Sequence, residues 1–391
     1  MRRMPRIVVA LGLASLLTDL SSEMIYPLLP LFLTGTLGAG AVALGLIEGI
    51  AETVASLLKV FSGAWSDRTA RRKPWVVFGY GIAGVARPLI GLATSWVFVL
   101  AMRFADRIGK GLRTAPRDAL IANAAAADQR GRAFGFQRVM DHTGAVLGPL
   151  VAAALLTFAG FSINAVFLLA AIPAALVMLV LVVGVREPGA AQRPESSGNS
   201  LLAHYAELSP DFKRYLIALG VFTLGNSTDA FILLRLSDAG VPAASVAVLW
   251  ALHHVVKTGA SYMGGVLSDR FGRKRLVVAG WGVYALVYLA FAMVAAPIPL
   301  IATFLAYGLY FGLCEPTERA WAAELAPAHL RGTAFGFYHG VVGLAALPAS
   351  LLFGAVWAAF GAPAAFGMGA ALAGVAAALL MRVREMREDA A

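Results

Sequence analysis

Apolar runs of about twenty residues follow one another along this chain almost from end to end, each closed by a short polar segment. A helix rises about 1.5 Å per residue, so about 20 apolar residues cross the hydrocarbon core of a bilayer. Twelve runs reach that length, at 7–33, 41–64, 74–93, 95–116, 133–158, 163–185, 214–236, 243–267, 276–296, 298–321, 333–359 and 362–383. The gaps between them alternate in character. Even-numbered gaps carry Arg68, Arg71, Arg72 and Lys73, then Arg117, Arg130 and Arg132, then Arg186, Arg193, Lys213 and Arg214, then Arg270, Arg273, Lys274 and Arg275, and last Arg331. Odd-numbered gaps such as 34–40, 94–95 and 297–299 are nearly uncharged. The positive-inside rule puts both termini and every basic gap in the cytoplasm. The pattern predicts an all-α membrane protein with twelve transmembrane helices.

Two blocks of sequence repeat. Gly63-Ala-Trp-Ser-Asp67-Arg68-Thr-Ala-Arg71-Arg72-Lys73 returns 202 positions later as Gly265-Val-Leu-Ser-Asp269-Arg270-Phe-Gly272-Arg273-Lys274-Arg275. Arg130-Gly-Arg-Ala-Phe-Gly-Phe136 returns at a spacing of 201 as Arg331-Gly-Thr-Ala-Phe-Gly-Phe337. Repetition at half the chain length, spread along each half, implies duplication of a whole six-helix unit. The longest gap is first rich in Pro, Gly, Ser and Gln and then passes through Leu201-Leu202-Ala-His-Tyr-Ala-Glu-Leu208, which suits a cytoplasmic linker with a short amphipathic helix. The expected organisation is an N-terminal six-helix bundle at 1–185, a linker at 186–213 and a C-terminal bundle at 214–391.

Composition supports a lipid-facing chain: 59% of the 391 residues are hydrophobic, 14% are charged, and the mean hydropathy is +0.76. The net charge of +10 is dispersed among short loops and forms no single patch, so it speaks for membrane topology and against a nucleic-acid partner. Cys314 is the only cysteine, which excludes an intrachain disulfide and a thiolate metal cluster. Met1-Arg2-Arg3-Met4-Pro5-Arg6 has the look of a signal peptide's basic start, but the apolar stretch after it is too long for a signal core and reads as a retained first helix.

The repeated Gly-x-x-x-Asp-Arg-x-x-Arg-(Arg/Lys)-(Lys/Arg) loop, between helices two and three and again between eight and nine, resembles the signature loop of the major facilitator superfamily. The likeness covers essentially the whole chain and implies that family's fold of two pseudo-symmetric six-helix halves. It also implies a gating role for Gly63, Asp67, Arg68 and Arg71, with Asp269, Arg270 and Arg273 as counterparts: in the family the aspartate docks near the start of helix eleven and latches the cytoplasmic side. The first copy has Ala70 where the second has Gly272. In helix five, Gly135, Gly144 and Gly148-Pro149 resemble the glycine-proline motif of the family's antiporters, drug exporters above all. The family's trailing Gly-Gly is here Ala152-Ala153. Glycines admit close helix contact, and the proline frees a backbone carbonyl, so the stretch can bend. In helix four, Arg107-Ile-Gly-Lys110-Gly111 resembles the family's Arg-x-x-Gln-Gly motif, with Lys110 in the place of glutamine. Arginine does not give up a proton, so Arg107 would act by stabilising a nearby carboxylate.

Ionisable groups inside membrane helices are expensive unless paired or hydrated, and each is a candidate site. By helical rise, Asp19, Glu52, Arg87, Asp106, Arg107, Asn226, Asp229 and His254 fall near the middle of the membrane, a layer that calls for a polar cavity between the two halves. Several share faces at spacings of three or four: Asp19 with Glu23, Glu48 with Glu52 and Lys59, Arg103 with Asp106, Arg107 and Lys110, Arg138 with Asp141 and His142, and His254 with Lys257, Thr258 and Ser261. Lipid offers no counter-charge, so these stripes should face inward. Asp19, Glu23, Glu52 and Asp106, with Arg107, are the expected proton-coupling set: a carboxylate near a guanidinium can load and release a proton as its site alternates between wet and dry. Arg87, Arg103, Arg138, Asn226, Asp229, His254, Lys257, Tyr307 and Tyr338 are expected to line the substrate cavity. Permanent ion pairing of Asp106, Arg103 and Arg107 is the structural alternative. Glu315, Glu318 and Arg319 read as ion pairs near the cytoplasmic end of helix ten.

The histidines, Cys314, Asp19 and Asp229 include metal donors, but no spacing forces a shared ion, and no metal or cofactor is expected. The chain has no Walker loop, no serine nucleophile motif and no His-Glu-x-x-His, which argues against an enzyme. The expectation is a secondary transporter in a bacterial-type plasma membrane, a monomer whose partners are a small-molecule substrate, protons and lipid. Proton-coupled export by antiport leads; uptake by symport, export of a metal ion or small anion, and a non-transporting sensor are the alternatives.

Overall fold

In the computed structural model, residues 4–68, 71–125, 130–186, 205–326 and 331–384 are described. Among them every regular element is helical, and they make twelve membrane passes. These are α1 (Arg6–Thr36), α2 (Ala41–Arg68), α3 (Lys73–Leu92), α4 (Trp96–Ala124), α5 (Arg130–Thr157), α6 (Ile163–Gly184), α7 (Pro210–Asp238), α8 (Ala243–Phe271), α9 (Arg273–Met293) and α10 (Pro297–Glu324), then α11 at 331–360 and α12 at 362–380. The last two form one helical stretch broken at Gly361, whose φ of 83° suits a residue without Cβ, with Pro363 just beyond it. Several helices run past the expected membrane limit; α4 continues to Ala124 and α8 to Phe271.

Local sequence explains where the passes bend. Pro27 and Pro30 remove two backbone donors from α1, which tightens into a 3-10 turn at Tyr26–Leu28 and then widens into a π turn at Phe32–Thr36. Ser95, Ser162 and Ser209 accept hydrogen bonds from the backbone N–H groups of Phe98, Ala165 and Phe212 and so start α4, α6 and α7. α7 is interrupted between Gly225 and Ala230, which leaves the Gly225 carbonyl to a side-chain donor, Tyr284. Of the expected linker helix only the turn at 205–207 falls within the described residues, with the Tyr205 ring 5.2 Å from that of Phe337.

The described residues form two compact units. One comprises the described residues within 1–195 together with Val241–Leu252, the other those within 196–240 and 253–391, so α8 contributes to both. Within the first, α1 packs on α5 and α6, and α4 on α2 and α3. Within the second, α7 packs on the α11–α12 hairpin, and α9 on α10 and that hairpin. The pairings are those of a duplicated six-helix unit. Val8, Leu11, Val76, Ile121 and Leu181 fill the core of the first; Trp281, Tyr215, Phe222, Phe291 and Phe304 that of the second. Phe78, Val183, Ile217 and Leu286 are exposed, as side chains turned toward hydrocarbon would be.

The basic loops also close helix ends. Lys73 Nζ donates to the Val182 carbonyl at 3.2 Å, in the last turn of α6. Lys274 Nζ donates to the carbonyls of Met381 and Val383 at 2.8 and 2.6 Å, just past the end of α12. A cation there satisfies orphan carbonyls and faces the negative end of the helix dipole.

Candidate functional site

α4 builds the polar centre of the first unit, because residues three and four apart share a helix face. Arg103 lies against Glu48 of α2 as a two-pronged pair: Nε and Nη2 donate to Oε1 at 3.0 and 2.7 Å, and Nη2 also to Oε2 at 2.8 Å. Asp106 Oδ1 accepts from Arg87 Nε of α3 at 2.7 Å, while Oδ2 lies 3.5 Å from Arg103 Nη1 and 3.8 Å from Arg107 Nε. Arg87 Nη1 donates to the Thr18 carbonyl of α1 at 3.1 Å. Arg87, Arg103, Glu48 and Asp106 are all at most 5% exposed. Buried charge is tolerable only with such pairing. Two of the expected substrate-cavity residues, Arg87 and Arg103, are thus engaged with carboxylates of the same unit.

The remaining carboxylates are grouped differently. Asp19 and Glu23 are half-buried on α1, and Glu52 is exposed on α2, where Ser56 Oγ donates to its Oε1 at 3.4 Å. Asp19 lies within electrostatic reach of Asp141, Glu23, Arg113 and Lys110, and Glu52 within reach of Lys110, Arg107 and Lys59. Lys110 is common to both sets. The residue that departs from the family's helix-four motif therefore stands among the carboxylates expected to carry protons. Gln137 Nε2 bonds Asp141 Oδ2 at 2.5 Å, and it shares Ser15 Oγ with Arg117. Arg138 is the outlier, with its side chain 55% exposed and 3.9 Å from Asp141.

Glycines set the helix contacts on which these groups sit. A Cβ at Gly144 would overlap the Leu16 carbonyl and come 3.0 Å from Asp19 Cβ; one at Gly148 would meet the Leu20 carbonyl at 2.7 Å and Glu23 Cβ at 2.9 Å. The motif of helix five thus seats α5 on the α1 backbone beside Asp19 and Glu23. Pro149, which follows, is also buried. Gly135 has open space around it. Gly109 and Gly111 play the same part in α4: Gly109 abuts the backbone of Gly79 in α3, and Gly111 abuts Leu58 in α2.

In the second unit, tyrosine hydroxyls take the place of guanidinium groups. Tyr307 donates to Asp229 Oδ1 at 2.8 Å, Tyr284 to Asn226 Oδ1 at 3.3 Å, and Asn226 Nδ2 to Tyr310 at 3.5 Å, all at the break in α7. Tyr284 and Tyr288 stack at 4.1 Å, and Tyr307 and Tyr310 at 5.8 Å. Tyr338 bonds elsewhere, to Glu318 Oε2 at 3.1 Å; Trp281 Nε1 donates to Oε1 of the same carboxylate at 2.6 Å. Glu318 is therefore held by aromatic donors. Lys257 Nζ lies 3.9 Å from the centre of the Phe311 ring, and His254 stands edge-on to His253 at 6.1 Å.

Of the expected gating residues, Gly63, Asp67, Arg68 and Asp269 lie outside the residues whose side chains are described, as do Glu315 and Arg319. Arg71 is exposed, Arg270 lies 5.4 Å over Phe271, and Arg273 Nη1 reaches Glu324 Oε2 at 3.1 Å, joining the start of α9 to the end of α10. Among the described residues no three His, Cys, Asp or Glu side chains are grouped to hold a metal.

Glu48, Trp250, Trp281 and Tyr284 hold the functional side chains in place without having been singled out for it, and Glu318, expected in ion pairs, accepts from Trp281 and Tyr338. Glu48 shares a helix face with Glu52, which was a usable signal. The aromatic residues had none, since a tryptophan in an apolar run looks the same whether its N–H is bonded to a carboxylate or not.

Residues 11–252 and 215–391 each match the Major Facilitator Superfamily. An uncharacterized MFS-type transporter of Methanocaldococcus jannaschii is 33% identical over 362 residues, which span 91% of this chain and 89% of that one. Multidrug resistance protein MdtH of Photorhabdus laumondii subsp. laumondii is 27% identical over 333 residues, 83% of this chain and 80% of its own. The crystal structure of nucleoside transporter NupG matches with a TM-score of 0.80 over 96% of this chain and 98% of that one, at 14% identity, a likeness of fold. Twelve passes, a duplicated six-helix unit, charge held inside the helices and matches to both halves make this chain a multi-pass membrane transporter of the major facilitator superfamily, and not an enzyme.

Proposed function

We propose that this transporter exports a small molecule from the cytoplasm in exchange for protons. The observation that carries this reading is the contact of α5 on α1, where Gly144 and Gly148, the residues that resemble the exporters' helix-five motif, lie against the backbone beside Asp19 and Glu23. Glycines at that contact let two helices slide or bend past each other while the adjoining carboxylates change their hydration. The likeness to a multidrug resistance protein over most of both chains supports the same direction.

In this reading the two six-helix halves, 1–185 and 214–391, joined by the 186–213 linker, rock about a central site that opens alternately to each side. Asp19, Glu23 and Glu52 take and release the proton, with Arg107 and Lys110 as the cations that favour their charged forms. Asp106, with Arg87, Arg103 and Glu48, serves as the fixed frame on which α2, α3 and α4 are held. Asn226, Asp229 and Tyr307 face the substrate from the second half, with His254, Lys257, Tyr338 and Arg138 lining the path. The basic loops carrying Asp67 and Asp269 form the cytoplasmic gate. The protein works as a monomer in a bacterial-type plasma membrane, with both termini cytoplasmic.

Proteoliposomes under an imposed pH gradient test the direction. Antiport predicts that substrate moves against the proton flow; substrate entering together with protons identifies a symporter and overturns the proposal. Screening a deletion strain against drugs, metals and metabolites identifies the substrate to be used.

A further inference from the structure

Trp250 ties α8 to a carboxylate of α1, Glu23, just before the 3-10 turn at Tyr26–Leu28. Its indole Nε1 donates to Glu23 Oε2 at 2.7 Å, and its ring packs 5.2 Å from that of Tyr26, one helical turn after Glu23. Trp250 is 4% exposed. The contact continues inward: the Arg103 guanidinium lies 5.8 Å from the centre of the Tyr26 ring and makes the two-pronged pair with Glu48. Trp250 also sits near the end of Val241–Leu252, the stretch that holds the start of α8 and belongs to the first unit; from His253 onward the same helix belongs to the second.

From this geometry we infer that Trp250 is a positioning residue that makes the hold on the first part of α8 depend on the charge of Glu23. An indole N–H can only donate, so the bond needs an acceptor on Glu23. To an ionised carboxylate it is charge-assisted, about twice as strong as the bond to a neutral carboxyl. Uptake of one proton by Glu23 converts the acceptor from –COO⁻ to –COOH and leaves the indole proton in place. The hold weakens at that step, and the segment of α8 is released from α1. The charged groups facing Glu23 include Asp19 on its own helix, Arg87 on α3, and Arg107 and Lys110 on α4. α5 presents Gly148 there, and α8 presents Trp250. The inference rests on the proposed coupling role of Glu23 and names the element that responds to it.

The test uses the full chain with Cys314, its only cysteine, replaced by serine, and spin labels on cysteines introduced at Thr36 and Ser245, both exposed and both in the first unit. In the parent, short label distances should prevail near pH 8 and a longer population should grow near pH 5. Trp250→Phe keeps the ring and loses the N–H, so the ratio of long to short distances near pH 8 should rise by about tenfold, with little further change on acidification. Trp250→Gln, which restores an N–H donor, should recover part of the pH response. Distances in Trp250→Phe that match the parent at both pH values overturn the inference, as does a parent whose distances ignore pH. Should Trp250→Phe fail to fold, Glu23→Gln carries the test: it must favour long distances near pH 8 and lose the response, and parent-like behaviour sinks the idea. Coupled flux measured on Glu23→Gln separates the two readings, because opened distances with coupling intact would retain the latch and remove Glu23 from proton transport.

Discussion

Lys73, the first residue of α3, and Lys274, the second of α9, each donate from the ammonium to the backbone at the end of the sixth helix of their own unit, although the repeats align Lys73 with Arg275 and Lys274 with Arg72. The bonds give a lysine in the first turn of both α3 and α9 a structural role beyond the positive charge of the loop. The bonds to Val182 and Met381 are exposed and the bond to Val383 is partly buried, so each should contribute modestly. Lys274→Ala removes the bonds to Met381 and Val383, and Lys73→Ala the bond to Val182. The expected loss is about 1 kcal/mol or less for each, larger for Lys274, read as the midpoint of unfolding of the solubilised protein. Lys274→Gln, which still donates, should recover most of it.

The Arg87–Asp106 pair should behave differently, because both side chains are almost wholly buried. Arg87→Ala leaves the Asp106 carboxylate with only the longer contacts to Arg103 and Arg107. A destabilisation of about 3 kcal/mol is expected from the uncompensated charge. Replacing both partners at once, as Arg87→Met with Asp106→Leu, should be less damaging than Arg87→Ala alone. A double-mutant cycle on unfolding in detergent checks this, and additive effects would count against the pair.

Two glycines of the same motif should differ sharply. Gly144→Ala places a methyl into the Leu16 carbonyl, so α5 must back away from α1 and transport should fall at least about tenfold. Gly135→Ala meets open space and should leave transport within about twofold of the parent while slightly favouring the helix. Initial rates in vesicles, normalised to protein content, measure both.

Neutralising a coupling carboxylate should separate coupled flux from exchange. Asp19→Asn or Glu52→Gln removes the proton acceptor but keeps the shape, so substrate driven by a pH gradient should stop while substrate-for-substrate exchange continues. Asp106→Asn should instead lower the amount of folded protein, because Arg87 loses its charged partner. Coupled flux that survives Asp19→Asn would remove that residue from the mechanism.

The helix-four stripe shows how far the sequence could be read. Helical period alone puts Arg103, Asp106, Arg107 and Lys110 on one face, and the absence of counter-charge in lipid turns that face inward. Which partner each residue takes depends on helices far away in sequence. Arg103 bonds Glu48, 55 residues earlier, and Arg87 reaches across to Asp106. Neither choice follows from spacing, and both draw charges expected to meet substrate into the frame of the unit.

By itself the sequence determined the twelve passes, the duplication and the family, because a bilayer admits only helices and closed barrels, and continuous apolar runs of about 20 residues suit the helix. Only the tertiary structure decided that Gly144 and Gly148 bring α5 onto α1 at Asp19 and Glu23, that aromatic donors hold Glu318, and that Trp250 reaches Glu23. Those relationships depend on distances of a few ångströms between helices whose mutual rotation no local pattern encodes. Hydrogen bonds and close packing at that range discriminate sharply, whereas hydrophobicity and charge along a single helix do not.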